Sequence, residues 1–162
     1  MTVTETQSRL TRRAENGVAP IDYGKLNAVY GAVLAAVVLA ARRPSAESVR
    51  APELLPLGAA TFALSKVITK EKVGSFVREP FVEESAENGR RPRGHGMRAA
   101  VGELVTCSRC TGAWSAAAIV GLRVASPTAG RAVSSVLATS ALNDVMHAGF
   151  NWLTARADRA EA

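Results

Sequence analysis

A chain of 162 residues has the size of one compact domain, and it is 48% hydrophobic but only 5% aromatic. Ala and Val dominate where a water-soluble core would draw on Leu, Ile and Phe, a balance that suits helices approaching closely through small residues in lipid. The formal net charge is +6, yet the basic residues lie between apolar stretches. They form no single stripe and do not interleave with aromatics, which argues against nucleic-acid binding.

In chain order, residues 1–24 are predicted to be a disordered polar tail, because Thr, Arg, Glu, Gln, Gly and Pro alternate there without periodicity. No A-x-A-like site follows a short leading apolar run, so no cleaved signal peptide is expected. Leu26 to Ala41 then runs without a charge, bracketed by Lys25 and Arg42–Arg43. Sixteen helical residues cover about 24 Å of a hydrocarbon core of roughly 30 Å, and Tyr23, Tyr30, Lys25 and Arg42 extend the run into the interfaces.

Three further apolar runs follow: Leu54 to Ile68, broken by Lys66; Cys110 to Leu122, with Trp114 near its start; and Ala132 to Phe150, interrupted by Asn143, Asp144 and His147. The spacing predicts an all-α fold, a small polytopic membrane bundle of about four spans at 25–43, 53–70, 110–126 and 131–150. A loop at 71–109 and a polar C-terminal tail at 151–162 complete it. Each of the last three runs is short for a span, so a soluble basic four-helix bundle stands as the alternative.

The distribution of positive charge favours the bilayer. With four spans and the N-terminus inside, fourteen of the 20 Lys and Arg fall on the inner side. Only Arg42, Arg43, Arg50, Arg123 and Arg131 fall outside, the bias that cytoplasmic loops carry. Both termini and the central loop are therefore expected in the cytoplasm. Lys66 comes close to the cytoplasmic end of the second span, with Trp114 and Trp152 near the same face.

Asp144 and His147 share a helix face at i, i+3. Lys66 reaches the same level, so an intramembrane Lys66–Asp144 ion pair is predicted to lock the second helix to the fourth. No Gly-rich phosphate loop, GxSxG or HExxH occurs, and no catalytic residue is assigned.

The most distinctive stretch lies between the second and third runs. Thr61, Phe62, Leu64, Ser65, Ile68 and Thr69 precede Arg78, Pro80, Phe81, Val82, Glu83 and Glu84. Gly102, Glu103, Leu104, Thr106, Cys107, Cys110, Gly112 and Trp114 follow. In this combination the chain resembles the bacterial family "domain of unknown function 1360" over roughly residues 54–150. The resemblance implies a small protein of the bacterial inner membrane, in a family with some members linked to sporulation in endospore formers, and it implies no activity. Position 66, where an Arg is common in the family, is Lys here.

The CxxC of Cys107 and Cys110 admits three readings. A first Cys at a helix N-terminus becomes a thiolate nucleophile, although the βαβ context of thioredoxin-like motifs is missing. A zinc site needs four ligands, and His95 and His147 are the only histidines to join the two thiols. The third reading has both thiols buried as small hydrophobes, with Gly102, Gly112 and Trp114 giving close helix packing. The leading expectation is a non-enzymatic protein. Its partners are the lipid bilayer and either a second copy or another membrane protein, met through Phe76, Phe81 and the Arg-rich turn. A metal- or thiol-dependent protein is the runner-up, and zinc is the only candidate cofactor.

Overall fold

A computed structural model describes residues 17–44, 46–85 and 89–161. The greater part of the predicted tail, residues 1–16, lies outside them. Six α-helices and one two-stranded hairpin occur among the described residues. Helix α1 spans Pro20–Ala41 and α2 spans Leu54–Thr69, entered through a 3-10 turn at Ala51–Glu53. A second 3-10 turn, Lys72–Gly74, leads into the short α3, Ser75–Arg78. Strands β1 (Val82–Ser85) and β2 (Gly89–Pro92) pair antiparallel with Val82 opposite Pro92. Helices α4 (Met97–Thr106), α5 (Ser108–Ala125) and α6 (Pro127–Glu161) follow.

Three expectations need correction. The tail was expected to reach residue 24, but α1 begins at Pro20, whose fixed φ suits a first helical position. Asp22 folds back onto the Ala19 amide at 3.2 Å, satisfying one of the orphan donors there. The segment 71–109 is a folded unit of short helices and a hairpin instead of a loop. The polar stretch after residue 150 continues α6 to Glu161.

By length and composition, only α1 among the described helices is apolar and long enough to cross a bilayer, and no residue of its apolar stretch is buried. The other three expected spans exist as helices, but α2 is too short and α5 and α6 are too low in mean hydropathy to meet that measure.

Helices α2, α5 and α6 pack on one another, and α1 leans on α5. Side-chain contacts fix the directions. Glu53 at the start of α2 meets Arg123 near the end of α5, and Thr69 at the end of α2 meets Ser108 at the start of α5. So α2 and α5 run antiparallel. Along α1 and α5 the partners advance seven residues at a time: Tyr30 packs on Trp114 at 5.2 Å between ring centroids, and Val37 packs over Gly121. This two-turn repeat is what nearly parallel helices make.

The interior is small and polar. Leu57, Ala60 and Ile119 form one buried cluster, and Val18, Ala99 and Ala100 form another. Ser65, Thr69, Thr111, Ser115 and Ser134 are buried beside them. Hydroxyls of Thr61, Ser65 and Thr69 bond carbonyls of their own helix, Thr69 to Ser65 at 2.8 Å, so they need no water.

Candidate functional site

The folded unit between α2 and α5 is held by arginines bonded to main-chain carbonyls. Arg78 is only 1% exposed. Its Nη1 donates to the Ile68 carbonyl at 2.6 Å and the Glu71 carbonyl at 3.1 Å, and its Nε to Glu84 Oε1 at 2.9 Å. Arg90 donates to the carbonyls of Thr69 and Lys70 and pairs with the same Glu84. The Ile68 and Thr69 carbonyls belong to the last turn of α2, which has no helical partners for them, and two cations there also meet the negative end of its dipole. Arg98 Nε donates to the Pro80 carbonyl at 2.8 Å.

The remaining signature residues close this unit. A Cβ added to Gly102 would sit 2.4 Å from the Phe81 carbonyl oxygen, so α4 can lie on the hairpin only with glycine there. Phe81 is half-buried, whereas Phe76 is 74% exposed. Of the two aromatic residues expected at an interface, Phe76 is the better presented. Gly112 has nothing within 4 Å of an added Cβ, so the expectation that it packs closely against a neighbouring helix is corrected.

Glu103 accepts a hydrogen bond from the Tyr23 hydroxyl, drawing α1 to α4. Together with Leu26, Tyr30, Leu104, Cys107, Cys110 and Trp114 they line a cleft of about 510 Å³. Cys107 caps the N-terminus of α5: its Sγ accepts from the Cys110 amide at 3.3 Å and from the Cys110 thiol at 2.7 Å. The Cys110 thiol and amide, helped by the Arg109 charge, hold the Cys107 thiol below its ordinary pKa. Both thiols are free, Cys107 half-buried and Cys110 exposed. They are thus not the buried hydrophobes expected.

The expected four-ligand zinc set is not assembled. His95 lies against Gly17, and His147 is exposed on α6. Among the described residues no three His, Cys, Asp or Glu side chains gather as a metal ion requires. Two thiols alone do not complete a closed structural zinc site.

Lys66 and Asp144 do meet, Nζ to Oδ2 at 3.0 Å, and Lys66 also reaches Glu71 at 3.1 Å. At the opposite end of the bundle lies a network that sequence reasoning missed. Arg123, 2% exposed, donates to Glu53 from Nε at 3.0 Å and from Nη2 at 2.9 Å, and Nη2 also reaches Glu47 at 3.3 Å. Arg131 binds Glu47 at 2.7 Å. Arg123 and Arg131 read as loop cations in the sequence. The signal that they are paired was the two glutamates in the facing loop, at positions 47 and 53.

The structure thus defines a mostly helical bundle capped at one end by an arginine-braced hairpin, with two thiols at the joint. The family described as Protein of unknown function (DUF1360) matches residues 56–150, more than half of the chain, and the chain belongs to it. No curated protein and no solved structure matches the chain.

Proposed function

We propose that this is an integral protein of the bacterial inner membrane that crosses the bilayer with α1, α2, α5 and the first part of α6. Both termini and the hairpin unit then lie on the cytoplasmic side. Its role is non-enzymatic, presenting that unit to lipid headgroups or to a membrane partner.

One observation carries the reading: polarity is inverted relative to a water-soluble fold. Leu34, Val38 and Leu39 of α1, Leu55 and Phe62 of α2, and Leu142, Val145 and Met146 of α6 face outward, Leu55 at 83% exposure. Arg78, Arg123, Thr69 and Ser115 face inward. An apolar patch of more than a few hundred Å² on a monomer needs a covering, and here it extends over three helices. A furrow of about 450 Å³ between α2 and α6, lined only by residues such as Leu55, Phe62, Leu142 and Val145, suits an acyl chain. At the hairpin end, exposed Lys70 and Lys72 stand beside exposed Val73 and Phe76, the pairing of cations and apolar side chains that headgroups attract.

The test is fractionation of cells making the untagged protein. It should pellet at high speed and resist carbonate, and it should enter solution only with detergent. Reporters fused after Glu47 and Pro127 should read outside, and those after Arg90 and Ala160 inside. A protein that stays in the supernatant without detergent is the soluble bundle.

A further inference from the structure

We propose that Cys107 and Cys110 form a redox-active dithiol that exchanges with low-molecular-weight disulfides. Three features of the joint between α4 and α5 lead to it. The chain leaves α4 at Thr106 and re-enters a helix at Ser108, so Cys107 occupies the N-cap, with its sulfur turned toward the free amides of the first turn. Those amides and the positive end of the helix dipole stabilise a thiolate, and a thiolate is the attacking species in disulfide exchange. Second, Cys110 stands one turn further on with its sulfur 2.7 Å from that of Cys107, so the two sulfurs already meet. Third, both thiols open on the cleft beside Glu103, Tyr30 and Trp114, which gives an incoming disulfide room to reach them.

The step balances without a further reagent. The Cys107 thiolate attacks one sulfur of RS–SR, a Cys107–SR bond forms, and the other half leaves as a thiolate that takes up a proton. The Cys110 sulfur, on losing its proton, attacks Cys107, forms the Cys107–Cys110 bond and expels the second RS group. The protein loses two electrons and two protons, and RS–SR becomes two RSH. The reverse sequence lets the oxidised protein accept electrons from a thiol.

Exposure separates this reading from burial of the thiols as packing groups, and the positions of His95 and His147 separate it from a closed metal site. The inference goes beyond the membrane reading and needs only that the Cys107 end of α5 be open to water, as both the membrane-spanning and the soluble bundle have it, so failure of either leaves the other standing.

The probe is oxidised glutathione added to the reduced, purified full-length chain in detergent micelles, with acid quenching and intact-mass analysis. The wild type should lose both titratable thiols and keep no glutathione. Cys110→Ser should trap one glutathione on Cys107. Cys107→Ser should react at Cys110 several-fold more slowly, because Cys110 lacks the N-cap contact with a main-chain amide that stabilises a thiolate at Cys107. Alkylation of wild-type Cys107 by iodoacetamide should titrate at lower pH than that of an ordinary exposed thiol in a reference peptide. Equal rates for the two single variants, or glutathione retained on the wild type, would make these two independent surface thiols and overturn the proposal. Stoichiometric zinc or copper that copurifies and shields both thiols from alkylation would overturn it in favour of a metal site.

Discussion

Arg123 and Glu53 stand 70 residues apart in the chain and share a two-point contact, Nε and Nη2 of the one lying 3.0 and 2.9 Å from Oε1 of the other. The contact ties the end of α5 to the start of α2. Gly130 lies directly over the Arg123 backbone, where a Cβ would come within 2.3 Å of Cα, so the turn into α6 is drawn tight against the same residue. Glu53→Ala leaves a buried guanidinium with only Glu47. Removal of one member of an ion pair whose other member stays buried is strongly destabilising, because the remaining charge is left uncompensated. The purified Glu53→Ala variant is expected to melt well below the wild type, and Glu47→Ala, which removes a more exposed partner, is expected to shift the melt much less.

Gly102 and Gly112 stand ten positions apart, and alanine should affect them in opposite directions. At Gly102 the methyl group meets the Phe81 carbonyl at 2.4 Å, and forcing α4 away from the hairpin costs about 1–3 kcal/mol. At Gly112 the space is open and the backbone helical, so alanine should stabilise by about 0.5–1 kcal/mol through helix propensity. Chemical denaturation of the two variants side by side checks the contrast.

The pair of Lys66 and Asp144 is about a third exposed on each side, and Lys66 has Glu71 as a second anion. Asp144→Asn alone is therefore expected to lower the melting temperature only slightly. Asp144→Asn with Glu71→Gln should cost more than the sum of the single changes, since only then does the cation lose both partners. A double-mutant cycle on thermal stability gives the coupling directly.

Glu47 gives the Arg123 end of the bundle a pH signature. A hydrogen bond from Arg131, and the charge of that guanidinium, hold its carboxyl below the ordinary value of 4.5. A carboxyl lowered on folding adds stability that is fully present above the unfolded value and is lost as pH falls through the folded one. Stability should fall as pH drops below 4.5, and Glu47→Gln should flatten that part of the profile while leaving neutral pH less changed.

The four long helices were legible because charges bracket their apolar runs: Lys25 and Arg42 mark α1, and Lys66 and Lys70 mark the end of α2. The level match of Lys66 with Asp144 was legible for the same reason. The hairpin was not. Val82–Ser85 and Gly89–Pro92 have almost no apolar alternation, and the forces that order them are bonds from Arg78 and Arg90 to main-chain carbonyls, which no periodicity records. The dithiol was visible as a CxxC. Its exposure, and the separation of both histidines from it, depend on packing of α1 and α6 that residue spacing does not encode.

The seven-residue steps by which α1 follows α5 have a consequence for how the chain can be divided. All of α1 precedes the family-matched segment 56–150, and its contacts with the rest run mainly along α4 and α5 through Tyr23, Tyr30 and Val37. A helix attached along one seam is a separable strip. Coexpression of a fragment ending in the 42–50 linker with a fragment beginning at Arg50 should rebuild the whole by complementation, and the larger fragment by itself should leave the indole of Trp114 uncovered.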